Sequence, residues 1–281
     1  MYDQAWNLRR LVRKRDEVRV ISIASGKGGV GKSSISVNLA IALSRYGQRV
    51  LVVDADFGLA NVDIMLGVSS KYDVSYFLRG EKSISEIVQL GHEGVRFISG
   101  GSGVNALLNM GENQLGEFLS GIIRLDVPID LIIVDTGAGI NDNVLQLVLA
   151  SSETIVVSTT EPTAILDACA LVKTIVQRDI SHPLHVIINM CENLRDGQRV
   201  QSGFIDFVGK HYGKDINPLG LIIQDRDVPL SIKRQLPIIV SNPASQISKE
   251  TTAIARAILN MPVHVMSDSV LSRIFSRILD S

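Results

Sequence analysis

Residues 18–43 read VRVISIASGKGGVGKSSISVNLAIAL, and this stretch decides the fold. It begins with a short apolar run rich in β-branched residues, which is typical of a buried strand. A glycine-rich loop of the form G-x-x-x-x-G-K-[ST] follows at residues 26–33, and a pattern with helical spacing begins at Ser34. A strand, such a loop and a helix in this order form a phosphate-binding loop. The stretch therefore predicts a nucleotide-phosphate site at the end of a buried strand.

Further apolar runs and helical patterns alternate along the rest of the chain. The predicted strands are residues 18–24, 50–53, 95–98, 131–134, 154–158, 184–188 and 219–223. The predicted helices between them are residues 34–45, 113–123, 164–178, 201–212 and 245–259. Repeated strand–helix–strand units form right-handed crossovers and a parallel sheet with helices on both faces. The sequence thus predicts a doubly wound, mostly parallel α/β fold.

Length and composition favour one large domain with an appended element at each end. A chain of 281 residues, 46% of them apolar, can bury one large core without disulfides or metals. We place this core in residues 18–262. Residues 1–17, which form a basic helical pattern, and residues 263–281 lie outside the strand–helix alternation.

The bulk properties also exclude several classes of protein. A formal net charge of -1 gives no overall field to hold nucleic acid, so direct nucleic-acid binding is not expected. Cys169 and Cys191 lack the spacing of a zinc site or a disulfide framework. No signal-peptide layout begins the chain, and no apolar run approaches the ~20 residues that span a bilayer. The sequence predicts a cytoplasmic protein.

The glycine-rich loop supplies most of the predicted nucleotide site. Glycines let the backbone N–H groups converge on phosphates, and the next helix points its positive dipole end at them. Lys32 adds positive charge, the Ser33 hydroxyl is placed to bind Mg²⁺, and Asp135 ends an apolar strand as the acidic partner of that ion. The predicted ATP-binding residues of the loop are Gly26, Lys27, Gly28, Gly29, Val30, Gly31, Lys32, Ser33 and Ser34.

The loop carries a second lysine, Lys27, and in this the sequence resembles the deviant Walker A ATPases of the MinD/ParA family. The resemblance covers most of residues 18–260. It implies that two subunits close face to face around two ATP molecules, with Lys27 reaching the phosphates of the opposite subunit. Such a lysine acts like an arginine finger, which stabilises the charge that develops in phosphoryl transfer. A solvated loop lysine is the alternative.

Two further segments match the switch segments of the family. Asp54 and Asp56 lead into the first, which includes Asn61. We predict that Asp56 orients the attacking water, while Asp54 has either a magnesium-related or a structural role. Residues 135–140, with Gly137 and Gly139, match the second switch. Many relatives have a proline there, and the Thr-Gly-Ala-Gly form found here looks like the flagellar branch of the family.

Recognition of adenine is predicted mainly from the resemblance. Asn189 ends an apolar strand, as the adenine-contacting asparagine does in the family, although Met190 follows where an arginine is common. Asp225 lies in a second candidate segment, residues 222–225, which lacks the proline often seen there. A structural turn is the alternative role of Asp225.

The C-terminal segment carries apolar residues on one face of a predicted helix. It resembles the membrane-targeting helix of MinD-like proteins, and two copies on an ATP-held dimer would bind lipid together more firmly than one. A last helix packed on the core is the alternative. The predicted lipid-facing residues are Val270, Leu271, Ile274, Phe275, Ile278 and Leu279.

The N-terminal segment points to the flagellar branch. Asp3, Gln4, Ala5, Leu8 and Arg9 match the D-Q-A-x-x-L-R motif of the flagellar number regulators called FlhG or FleN. In that branch the segment is a helix that activates FlhF, a signal-recognition-type GTPase. The resemblance implies that Gln4 acts at the partner's GTP site and that Leu8 and Arg9 anchor the helix. A surface helix with a solvated basic face is the alternative.

Together these patterns predict a Mg²⁺-dependent ATP hydrolase, with Lys27, Lys32 and Asp56 as its catalytic residues. It would form an ATP-dependent homodimer, attach reversibly to the inner face of the membrane, and regulate flagellar number or placement. The resemblance also implies contacts with flagellar basal-body proteins and, in some members, a flagellar transcription regulator. The alternative is a division-site or cargo-positioning ATPase of the same family. Lys27 and Asp56 disfavour a small-molecule kinase, and measurable hydrolysis would exclude a module that only binds ATP.

Overall fold

The computed structural model describes residues 18–56, 61–101, 121–122, 125 and 129–261. Within them one sheet has the strand order β3-β4-β2-β5-β1-β6-β7-β8. All neighbouring strands are parallel except β3 and β4, which are antiparallel at one edge. The strands are β1 Arg19–Ser25, β2 Val50–Ala55, β3 Gln89–Leu90, β4 Arg96–Ile98, β5 Leu131–Ala138, β6 Glu153–Thr159, β7 Leu184–Cys191 and β8 Asn217–Ile223. The predicted mostly parallel sheet is confirmed.

Helices connect these strands. They are α1 Lys32–Arg45, α2 Val62–Leu66, α3 Val74–Leu78, α4 Ile84–Ile87, α5 Asp142–Ala150, α6 Pro162–Arg178, α7 Leu194–Tyr212, α8 Asp227–Lys233, α9 Ile238–Ser241 and α10 Gln246–Asn260, with a 3₁₀ turn at His92–Gly94. The helix predicted at residues 113–123 lies almost wholly outside the described residues. The two predicted end segments, residues 1–17 and 263–281, lie outside them entirely.

Alternation of side chains along the central strands builds a core on each face of the sheet. Val50 and Val52 of β2 pack with residues of α1, whereas Leu51 and Val53 belong to a cluster that includes residues of α3 and α4. In β6, Val156 packs with α5, α6 and α7 on the face of the sheet that lies opposite α1. Helices therefore cover both faces, as the sequence predicts. In the described part of the chain no helix is long and apolar enough to span a bilayer.

The carboxyl ends of the parallel strands meet at one edge of the sheet, and this places the candidate site. The glycine-rich loop follows β1, Asp56 follows β2, and Gly139 follows β5. Asn189 lies near the end of β7, and Gln224 follows β8. Parallel α/β sheets bind ligands at this edge because their loops converge there.

A buried charged cluster lies at the opposite edge. Arg19 forms a bidentate ion pair with Glu153, whose Oε2 lies 2.9 Å from Arg19 Nη2 and 2.8 Å from His185 Nε2. Nη1 of Arg19 donates to the carbonyl of Ile258 at 2.7 Å. Arg19, Glu153 and His185 are all buried. The cluster ties the first residue of the core sheet to the end of the last helix.

Candidate nucleotide site

A cleft of about 850 Å³ opens at the carboxyl edge of the sheet. The phosphate loop and the start of α1 form one part of its wall, and the ends of β7 and β8 with α8 form another. Of the predicted site residues, the cleft brings together Gly28, Gly29, Gly31, Lys32, Ser33, Ser34, Asp56, Asn61, Asn189 and Asp225. Gly26, Lys27, Val30, Asp54, Asp135, Gly137 and Gly139 lie beside the cleft rather than in its described lining.

Gly26 and Gly31 of the loop have no room for a side chain. Gly31, which caps α1, has φ 90°, and a Cβ there would lie 2.4 Å from Nδ2 of Asn189. A Cβ at Gly26 would lie 2.2 Å from the carbonyl oxygen of Asp167 in α6. Any larger residue would push the loop off its neighbours, since real Cβ contacts are never this short. The loop is therefore packed in place by α6 on one side and Asn189 on the other.

Lys32 is a buried positive charge in the cleft. Its side chain is only 7% exposed, and burial lowers its pKa, while the charges of Asp135 and Asp56 act in the opposite direction. The ammonium is therefore desolvated but balanced by two carboxylates. A phosphate that enters the cleft meets a cation whose charge water screens only weakly.

Asp135 provides a buried carboxylate behind the loop. Its Oδ1 accepts a hydrogen bond from Oγ of Ser36 at 2.9 Å, and its Oδ2 has no hydrogen-bond partner among the described residues. Burial raises its pKa to about 6, although the Ser33 and Ser36 hydroxyls and the charge of Lys32 lower it. A buried carboxylate oxygen without a partner is an oxygen ligand of the type that Mg²⁺ prefers, directly or through water.

Asp54 accepts hydrogen bonds from the backbone of the segment predicted to be the first switch. Its Oδ1 accepts from the N–H of Asp56 at 3.1 Å, and its Oδ2 accepts from Asn61 at 2.9 Å and Val62 at 3.1 Å. Burial and the nearby charge of Asp135 raise its pKa to about 7, although the hydrogen bonds from these N–H groups lower it. Of the two predicted roles, the contacts favour the structural one, because the carboxylate is taken up by the start of α2.

Two of the other residues predicted to form the switches, Gly137 and Asp56, lie close together. A Cβ on Gly137 would be 3.5 Å from Oδ1 of Asp56, so the two predicted switches approach closely at this point. Gly139 has φ 102°, and its N–H donates to the carbonyl of Ser25 at 2.9 Å. Residues 135–138 belong to β5, because after a shift in register Ala138 still pairs with Ser25. The strand is therefore longer than predicted, and the second loop begins at Gly139.

Lys27 turns away from the cleft of its own chain. Its Nζ donates to Oε2 of Glu161 at 2.7 Å and to Oγ1 of Thr163 at 2.9 Å. The side chains of Lys27 and Glu161 are 37% and 66% exposed, so this ion pair faces solvent. Lys27 and Lys32 thus occupy different environments, one on the surface and one inside the cleft.

The ends of β7 and β8 form the wall predicted to contact adenine. Nδ2 of Asn189 donates to the carbonyl of Val30 at 2.8 Å, which links this wall to the phosphate loop. Met190, beside it, has φ 54°, a left-handed conformation uncommon outside glycine. Oδ1 of Asp225 accepts from the N–H of Asp227 at 2.8 Å, where α8 begins. Asp225 therefore makes the turn that its alternative interpretation requires, and it also lies in the wall of the cleft.

Residues 17–259 match the model of the ParA family, described as NUBPL iron-transfer P-loop NTPase. The chain belongs to the ParA/MinD family. Antiactivator FleN of Pseudomonas aeruginosa is 32% identical over 88% of this ParA/MinD chain and 88% of its own length. Flagellum site-determining protein YlxH of Helicobacter pylori is 37% identical over 66% of this chain and 62% of its own length. The predicted P-loop ATPase of this family, similar to flagellar regulators, is confirmed.

The fold of this ParA/MinD protein also matches solved structures. The septum site-determining protein MinD of Pyrococcus horikoshii, complexed with Mg-ADP, aligns with a TM-score of 0.71 over 86% of this chain and 96% of its own. The two sequences are 23% identical. At this identity the comparison establishes the fold.

Sequence reasoning missed several residues that hold the predicted site in this ParA/MinD protein. Glu161 and Thr163 contact Lys27 from 134 and 136 residues away in sequence. Ser36 binds Asp135 across 99 residues. Ser36 lies one helical turn after Lys32, so helical spacing predicts that the two side chains share one face of α1. No sequence signal joins Glu161 to Lys27, because that contact depends on the order of the strands.

Proposed function

We propose that this protein is an ATP-driven dimerising switch that regulates flagellar number or placement. The 32% identity with Antiactivator FleN over 88% of both chains carries the flagellar assignment. Flagellum site-determining protein YlxH, 37% identical over a shorter region, supports it. The N-terminal motif with Gln4 and the Thr-Gly-Ala-Gly switch, both read from the sequence, point the same way.

The cleft supports binding of Mg-ATP with its phosphates at the glycine-rich loop. Lys32 and the N–H groups at the start of α1 would hold the phosphates. Ser33 and Asp135 would hold Mg²⁺, and Oδ2 of Asp135, which has no hydrogen-bond partner in the described part of the chain, fits that role. The cation would neutralise charge on the phosphate oxygens during transfer. The similarly folded Pyrococcus horikoshii MinD is complexed with Mg-ADP, which supports the choice of a magnesium-bound nucleotide as the ligand.

Hydrolysis would require one residue in the cleft and one from a second subunit. Asp56 lines the cleft and would position the attacking water there. Lys27 contacts Glu161 and is absent from the described lining of its own cleft, and we propose that it reaches the phosphates of a facing copy instead. Dimerisation around ATP would complete both sites, and hydrolysis would release the pair.

The end segments would convert the nucleotide state into two outputs. Residues 267–281 would attach the dimer to the inner membrane face, since two weak amphipathic helices act together on one dimer. Asp3, Gln4, Ala5, Leu8 and Arg9 would contact an FlhF-type GTPase, with Gln4 acting at its GTP site. Contacts with flagellar basal-body proteins and a flagellar transcription regulator belong to the same proposal.

GTP hydrolysis by purified FlhF tests the flagellar role. We expect the full-length protein to accelerate it and the Gln4→Ala variant, with unchanged ATP hydrolysis, to have lost this effect. Absence of acceleration by the full-length protein would move the assignment to a general positioning ATPase. The 27% identity with MinD of Bacillus subtilis over 88% of this chain supports that second candidate.

Liposome flotation tests the membrane role. We expect full-length protein to float with anionic vesicles in ATP and to sediment in ADP. A variant lacking residues 267–281 should remain at the bottom in both nucleotides while it still hydrolyses ATP. Equal flotation of the truncated and full-length proteins would contradict membrane attachment through this segment.

A further inference from the structure

The end of β8 forms part of the cleft wall and, within the described sheet, has no strand on its outer side. β8 is an edge strand that pairs with β7 in the described sheet, and Ile222, Ile223, Gln224 and Asp225 line the cleft where it ends. An edge strand presents N–H groups that have no sheet partner. The shape of this wall therefore depends on what pairs with its outward N–H groups.

A carboxylate from the last helix takes that place at Ile223. Oε2 of Glu250 in α10 accepts the N–H of Ile223 at 2.9 Å, while the N–H of Gln224 donates inward to the carbonyl of Cys191 at 2.9 Å. The other oxygen of Glu250 accepts from Nε2 of Gln246 at 2.9 Å. Both sides of the strand end are thus fixed, one by β7 and one by Glu250.

Glu250 is well placed for this task. Its helix neighbours Ile247 and Thr251 themselves line the cleft, so α10 packs directly behind the wall. A proline in this segment would have a fixed φ and no N–H to satisfy. This chain has no proline at residues 222–225. Its backbone is restrained here by a hydrogen bond to a charged acceptor instead.

We propose that Glu250 is a positioning residue for the nucleotide base, which acts by holding the wall at Ile223–Gln224 against the purine. The inference rests on the proposed binding of an adenine nucleotide in this cleft. Glu250 does not line the cleft itself. Its effect on affinity is therefore transmitted through the backbone of Ile223 and depends on the ligand having a base.

Binding of ADP and of pyrophosphate to full-length protein, measured by calorimetry, tests this role. Glu250→Ala should weaken ADP binding about tenfold, which corresponds to one hydrogen bond of about 1.4 kcal/mol. Pyrophosphate affinity should stay unchanged, because that ligand occupies only the phosphate loop. Glu250→Gln should retain most of the ADP affinity, since its amide oxygen also accepts an N–H. Lys249→Ala, at an exposed position of the same helix, is the matched control.

A second substitution separates positioning from general stability. In Ile223→Pro the N–H that Glu250 accepts is absent, so adding Glu250→Ala to it should change ADP affinity less than about twofold. An undiminished effect of Glu250→Ala in the proline background would overturn the proposal. Equal weakening of ADP and pyrophosphate binding would also overturn it, because it indicates general loosening. If wild-type protein binds pyrophosphate but no adenine nucleotide, the proposed function fails instead.

Discussion

Replacing Lys27 by alanine is expected to abolish ATP hydrolysis while nucleotide binding survives. Because the side chains of Lys27 and Glu161 are 37% and 66% exposed, their ion pair stabilises the fold by at most about 1 kcal/mol. Lys27 is absent from the described lining of its own cleft, so ADP affinity should change less than about twofold. Hydrolysis should fall by roughly 10³ if, as we propose, Lys27 supplies charge to the partner's phosphates.

Lys32→Ala provides the matched comparison within the same loop. Lys32 is 7% exposed and lines the cleft, so its loss should weaken ADP binding by at least about tenfold, the equivalent of a charge-assisted hydrogen bond. The two lysine variants should therefore differ in calorimetric ADP titrations while both fail to release phosphate from ATP. Thermal unfolding without nucleotide checks that both are folded.

Mixing inactive subunits tests whether Lys27 acts across the dimer. In a mixed dimer of Lys27→Ala and Asp56→Ala, the cleft of the Lys27→Ala subunit keeps Asp56 and receives Lys27 from its partner. Random pairing would restore about a quarter of the wild-type rate. A mixture that stays as inactive as either variant alone would refute the trans role. So would a loss of ADP binding in Lys27→Ala equal to that in Lys32→Ala.

Further predictions concern the buried Arg19–Glu153 ion pair and the buried carboxylate of Asp135. Arg19→Leu leaves the Glu153 carboxylate buried without the guanidinium that pairs with it. In chemical denaturation, the free energy of unfolding should therefore fall by about 3–5 kcal/mol. Adding Glu153→Leu should restore most of this free energy. Burial raises the pKa of Glu153, but hydrogen bonds from His185 and Arg19 lower it to about 2, so this stabilisation should be present above its ordinary value of 4.5 and be lost as the pH falls toward 2. Burial raises the pKa of Asp135 to about 6, so protons should compete with Mg²⁺ for its carboxylate. In wild type, the enhancement of ADP binding by Mg²⁺ should therefore fall about tenfold between pH 7.5 and 5. The Asp135→Asn variant should not show this fall.

The sequence predicts most of the sheet because its strands are apolar runs with sharp ends. It fails where an element is short or its signal is polar. The pattern predicts a helix from residue 201, but α7 begins at Leu194, because Asn193 caps it and accepts the N–H of Asp196. Gly197 lies within that helix, and a larger residue would crowd the neighbouring strand, because a Cβ there would lie 2.8 Å from Sγ of Cys191. Strand β3, at the sheet edge, has a single neighbour and a short pattern.

The candidate site divides in the same way. The glycine-rich loop is local in sequence, so its residues and their chemistry follow from the motif. Contacts made across the fold do not, since they depend on which strands become neighbours. The Glu161 contact of Lys27 and the Glu250 contact of Ile223 join residues 134 and 27 positions apart. The proposed role of Lys27 in a second subunit follows from the family resemblance, because no contact within one chain defines it.

The hydrogen bond from Arg19 to the carbonyl of Ile258 places the first strand and the last helix of the core side by side. The two ends of the core therefore lie close together, at the edge of the sheet opposite the P-loop. A short peptide could join residue 261 to residue 18, and new ends opened in the loop at Gly213 would leave the strand order intact. Because the two ends lie at that edge, evolution could add or exchange extensions there without rebuilding the nucleotide cleft.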